Sequence, residues 1–188
     1  MIIAGIDPSL TSTGVAVIRS PERVATATVT SKPPAPGTET VRTRFERMEQ
    51  LATGILDLVD GADVVGIESP AYGMQNAGKV HDRSGLWWWI VGQLEALGVP
   101  VVEISPPSRM MYATGKGNAG KDLVLVTAAA TYKQAAITGN DIADAVLIAA
   151  MVSRLADQPI ELRRPAQSKL KALAKVQMPQ VLVTTRST

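Results

Sequence analysis

The chain has 188 residues, 46% of them apolar, and no cysteine. That length bounds a single domain able to bury its own core, and the missing cysteines exclude a disulfide framework and a thiolate zinc site. The formal charge is only +2, but residues 1–161 carry 13 Lys and Arg against 17 Asp and Glu, whereas residues 162–188 hold six basic side chains and no acid.

Residues 2–6 and 14–18 are β-branched and apolar, and the turn between them (Pro8, Ser9, Leu10, Thr11, Ser12, Thr13) is rich in turn formers. Residues 25–30 alternate as a half-exposed strand does, so the opening is expected to be a three-stranded antiparallel meander. Residues 32–37 form a loop. Thr38, with Val41, Phe45, Met48, Leu51, Ala52, Ile55, Leu58 and Val59, then sets a helical spacing that Gly61 closes. Strands are expected over 63–68 and 99–104, and helices near 76–97, 119–134 and 140–156. A meander followed by alternating helix and strand predicts an α/β fold, a mixed sheet with helices on its faces. Residues 1–158 should form this domain, with 159–188 as a basic tail of low structure holding Arg163, Arg164, Lys169, Lys171, Lys175 and Arg186.

Asp7 ends the first apolar run and Glu68 the run over 64–67, while Asp141 and Asp144 open the last apolar helix at i, i+3 spacing, which puts both carboxylates on one helix face. Strand carboxyl ends are where ligands gather in such sheets. Carboxylates from separate segments sharing one surface need a counter-ion, and Mg²⁺ suits a few carboxylates plus water and phosphate. Two such ions, ~4 Å apart, activate a water and stabilise the leaving oxygen of a phosphodiester. Each signal has a plainer alternative: Asp7 as a turn residue, Glu68 as a solvated strand-end acid, Asp141 and Asp144 as helix N-capping groups. The Asp7 hairpin also resembles the opening of actin and sugar-kinase type ATPases, which need a second such hairpin in a second domain; this chain is too short for one.

Gly5-Ile6-Asp7-Pro8, Ile67-Glu68, Gly117-Asn118-Ala119-Gly120-Lys121 and Asp141-Ile142-Ala143-Asp144-Ala145 together resemble the RuvC family of Holliday junction resolvases, over residues 1 to about 156. The resemblance implies a ribonuclease H-like fold with a mixed five-stranded sheet and helices on both faces. It implies a homodimer cutting four-way DNA junctions with two Mg²⁺ or Mn²⁺ ions per active site, with Asp7, Glu68, Asp141 and Asp144 as metal ligands and catalytic residues. A phage-type member is one possibility the tail raises. The family pattern carries a base-stacking aromatic three residues after the strand-end Glu; here Ala71 stands there, and Tyr72 follows.

Lys116 and Lys121 flank a glycine-rich helix start, a phosphate cradle in the making. Tyr72, Lys79, Arg83 and Arg109 are further expected DNA contacts. His81, among charged neighbours, reads as a surface group. Trp87, Trp88 and Trp89 cover most of one helix turn, and interface or core is the expected role, with the dimer formed through this helix. The tail is either an arm that follows DNA phosphates or a solubilising extension. No run reaches the ~18 apolar residues of a membrane span, and no basic leader precedes the first strand, so a cytoplasmic protein without membrane partner, in a bacterium or a phage-infected host, is expected. Processing of RNA or flaps by the same fold, or silent junction binding, are the remaining alternatives.

Overall fold

The structure is a computed structural model and describes residues 1–70 and 77–179, with the backbone alone at 77–79. A five-stranded sheet runs in the order β3-β2-β1-β4-β5, built from β1 (Ile3–Asp7), β2 (Ser12–Ser20), β3 (Arg23–Thr30), β4 (Val64–Glu68) and β5 (Val101–Ile104). β1 pairs antiparallel with β2 and parallel with β4, β2 antiparallel with β3, and β4 parallel with β5. The expected meander and mixed sheet are both present.

β1 and β4 are apolar along their length because helices cover both faces of the sheet centre, whereas β3 alternates exposed and half-buried as an edge strand. Strand side chains alternate between faces. Ala4, Ile6, Val65 and Ile67 pack on α1 (Val41–Val59) and α2 (Ala77–Ala96), through Leu51, Ile55, Leu86 and Ile90. Ile3, Val64, Val102 and Ile104 pack on the opposite layer, formed by α3 (Pro106–Thr114), α4 (Lys121–Thr131) and α5 (Asn140–Leu155).

Local chemistry sets the helix ends. Thr40 caps α1 in a reciprocal capping box with Thr43, so the helix starts three residues later than its apolar spacing predicts. α3 has no counterpart in the sequence reading. Its start carries Pro106 and Pro107, which look like a break, but proline is tolerated in the first helical turn, Ser105 caps it, and Gly115 closes it at φ 82°.

Residues 160–179 are more ordered than their composition predicts. Ile160 and Ala172 are buried, and a short α6 (Gln167–Leu170) and a 3₁₀ turn (Leu173–Lys175) lie against the α3–α5 layer. The apolar residues that do this, Leu170, Ala172, Leu173 and Val176, are interspersed with lysines, which hides their spacing in the sequence. Among the described residues no helix is long and apolar enough to cross a membrane.

Candidate active site

Register and the two-residue strand period place two of the acids. Ile6 pairs with Ile67 in parallel strands, so Asp7 and Glu68 end neighbouring strands side by side. Both follow the parity of Ile3 and Val64, which puts them on the α5 face. α5 brings the other two acids by lying directly on the sheet. A Cβ at Gly14 would overlap the Asp141 carbonyl, one at Gly5 the backbone of Ala145 and Ala149, and one at Gly66 the side chains of Ile148 and Val152. Three adjacent strands therefore each omit a side chain where the helix crosses, and its first turn rests beside Asp7.

Asp141 and Asp144 do not cap their helix. The cap residue is Gly139, without a side-chain hydrogen bond. Instead Asp141 Oδ2 accepts from Ser12 Oγ at 2.5 Å, which ties the β1–β2 turn to α5. Thr13, fully buried, holds that turn: its Oγ1 accepts from Ser9 N and donates to Ser9 O, each at 2.9 Å.

Arg109 is the central finding of the site. The residue, grouped with DNA contacts on sequence grounds, is only 8% exposed. Nε donates to Glu68 Oε2 at 2.5 Å, and Nη1 donates to Asp144 Oδ1. Trp87 Nε1 donates to the Glu68 carbonyl at 2.9 Å and so fixes the end of β4. Nothing in the sequence marks these contacts, because Arg109 reaches partners 41 and 35 residues away.

Among the described residues Arg109 pairs with two of the four carboxylates, Glu68 and Asp144, and the imbalance shows in the protonation of Asp7 and Asp144. Burial, then the charges of Glu68 and Asp144, push the Asp7 carboxyl from 3.8 up to about 8. Burial also raises Asp144, to about 6, against the opposing pull of Arg109. Burial works against the Arg109 charge too, but Glu68 and Asp144 outweigh it and lift its pKa. The donor set is all oxygen, as a hard divalent cation requires. With Arg109 between Glu68 and Asp144, no three Asp, Glu, His or Cys groups converge on one ion position among the described residues. The surplus of partly buried acidic groups fits a cation that the arginine only partly replaces.

Lys116 and Lys121 are exposed on either side of the turn between α3 and α4, and α4 starts at Gly120 without a side-chain cap. Arg83 and His81 are exposed on α2. Tyr72 lies outside the described residues, as does the Lys79 side chain. The three tryptophans part ways: Trp87 is buried, Trp89 meets Phe45 at 5.4 Å, and Trp88 is 64% exposed with its ring edge-on to Trp87.

No family model matches the sequence. No curated protein matches it either. Among solved structures, RuvC of Thermus thermophilus superposes with a TM-score of 0.62 at 22% identity, covering 86% of this chain and 100% of that one. T. thermophilus RuvC in complex with a Holliday junction substrate gives 0.58 at 22% identity, covering 79% of this chain and 90% of that one. This chain thus has the α/β, ribonuclease H-like fold of RuvC, with the expected mixed five-stranded sheet and helices on both faces.

Proposed function

We propose that the chain is a divalent-metal-dependent endonuclease that cuts four-way and other branched DNA. The observation that carries this reading is that Asp7 and Glu68 end neighbouring strands, with Asp141 and Asp144 near enough for the charges of all three neighbours, after burial, to push Asp7 up to about 8. Such a surplus of acids in a buried setting is uphill without a cation. Branched DNA is the substrate class favoured by the fold shared with a RuvC solved on a Holliday junction substrate.

In this reading the four carboxylates hold two Mg²⁺ or Mn²⁺ ions, whose chemistry is to activate a water and to neutralise the leaving oxygen. The protein's own groups do the rest. Ser12 orients Asp141, Trp87 holds the end of the Glu68 strand, and Arg109 holds Glu68 and Asp144 until a cation takes its place. Lys121, Lys116 and the free N–H groups of the α4 start bind backbone phosphate, which sets position and not sequence. Arg83, Lys79 and Tyr72 are further proposed DNA contacts. Cleavage leaves 5′-phosphate and 3′-hydroxyl ends. Two copies joined through α2, where Trp88 is exposed, present two sites to one junction. Residues 1–158 form the nuclease unit and 159–188 its basic extension, at work in the cytoplasm of a bacterium or an infected host.

The experiment is cleavage of an immobile four-way junction with and without Mg²⁺ by the wild type and Asp7→Asn. Paired nicks from the wild type alone, and only with metal, are expected. A second reading, a scaffold that binds junctions without cutting, draws on the buried Arg109, which already neutralises two of the acids. Tight binding with no nicks, with or without Mg²⁺, supports it. Preferential cutting of flaps or RNA hairpins in the same assay would move the substrate and leave the chemistry.

A further inference from the structure

The segment after α5 carries a buried acid that the catalytic reading leaves unused. Glu161 is the last acidic residue of the sequence, yet its side chain is only 2% exposed. A carboxylate so enclosed requires partners. Tyr112 and Tyr132 both donate to Oε1, the latter at 3.0 Å, and Arg154 Nη2 donates to Oε2 at 2.5 Å. Arg154 Nε also donates to Tyr112 Oη at 3.0 Å. These partners come from α3, the end of α4, and α5, so one carboxylate ties three helices together. Further along, Lys169 Nζ donates to the Ala113 carbonyl at 2.6 Å, gripping the last turn of α3 a second time.

α3 is therefore loaded on two sides. Its nine residues are too few to hold a helix in water without packing partners. Arg109 leaves it toward Glu68 and Asp144, and Tyr112, one turn on, leaves it toward Glu161. Whatever shifts the Tyr112 end shifts the arginine.

We propose that Glu161 is a positioning residue: by gripping Tyr112 it fixes α3, and with it the Arg109 guanidinium between Glu68 and Asp144. The C-terminal segment thereby sets how readily those two carboxylates are released to a divalent cation. The second half of this inference rests on the reading of the carboxylates as metal ligands. The first half stands apart from it.

The test is a double-mutant cycle in the full-length protein, with wild type, Glu161→Gln, Arg109→Gln and the double variant. Melting is followed in EDTA, and Mn²⁺ binding by titration calorimetry. No hydrogen bond or ion pair joins Arg109 to Glu161 among the described residues, so independent sites would give additive Tm changes. Non-additive changes are expected. Glu161→Gln should also tighten Mn²⁺ binding, by about threefold or more, where Arg109 is present, and leave it unchanged in the Arg109→Gln background. Additive melting changes, or a Glu161→Gln effect on Mn²⁺ that persists without Arg109, overturn the proposal. Should Glu161→Gln not fold, Tyr112→Phe removes the same hydroxyl contact, keeps the ring, and is read in the same way. A wild type that binds no Mn²⁺ overturns the metal-release half together with the catalytic reading, and the melting cycle then decides the positioning half.

Discussion

Two buried charge clusters sit on the α3–α5 layer, and they are built on opposite principles. Around Glu161, one acid meets one arginine and two phenol hydroxyls, so charge and hydrogen-bonding capacity balance. Around Asp7, Arg109 pairs with only two of four acids among the described residues, and the surplus is held in a setting that burial makes costly. A balanced cluster is accounted for by structure alone, whereas the unbalanced one is where the proposed chemistry is placed.

The largest effect that separates the two is expected at Asp7. Asp7→Asn should lower junction cleavage by about a hundredfold or more while raising the metal-free Tm above pH 8, where the ionised Asp7 carboxylate would repel its neighbours. A variant that loses both activity and stability would break the contrast. The reverse is expected at Glu161: Glu161→Ala should cost about 3 kcal/mol of stability in urea unfolding, since it strands Arg154 and two buried hydroxyls. A cost below about 1 kcal/mol would mean the cluster is not a structural clasp.

The pH dependence sharpens the same point. Asp7 and Asp144 bind a proton more tightly in the folded chain than their ordinary value of 3.8, at about 8 and about 6. The folded state therefore holds the extra proton, and the stability these groups contribute is full below pH 3.8 and is lost as pH rises through 6 and then 8. Metal-free melting should fall across that window, and Mg²⁺ should raise Tm at pH 8 more than at pH 5, since the cation binds the ionised form. Equal Mg²⁺ effects at both values would argue against binding at these acids. The smallest effect is expected at Lys121, where Lys121→Ala should weaken junction binding a few-fold and reduce the slope of log affinity against log salt by about 1, with no change in metal-free Tm.

The sheet, its meander and the four acids were legible in the sequence because they follow from local rules: strand period, apolar runs ending in an acid, and i, i+3 spacing on a helix. What stayed hidden is tertiary. Arg109 is an unremarkable basic residue until α3 forms, and α3 was invisible because Pro106 and Pro107 look like a break where they serve as a helix start. Glu161 sat at the edge of a basic tail and gave no hint that it is enclosed by three helices. Gly5, Gly14 and Gly66 were the one available clue to the close seat of α5, since glycine inside a strand often marks another backbone close by.

That seat has a consequence for how the chemistry can vary. Side chains used as spacers hop between rotamers and can be resized one methyl group at a time. Here the gap between sheet and helix has almost no filler at Gly14 and Gly5, so the offset from Asp7 to Asp141 and Asp144 is set by main chain resting on main chain. Such a joint has no adjusting screw. The carboxylate spacing inherits the stiffness of the backbone, and the smallest edit available, a single methyl at position 5 or 14, is already a step larger than the joint can absorb without moving the helix.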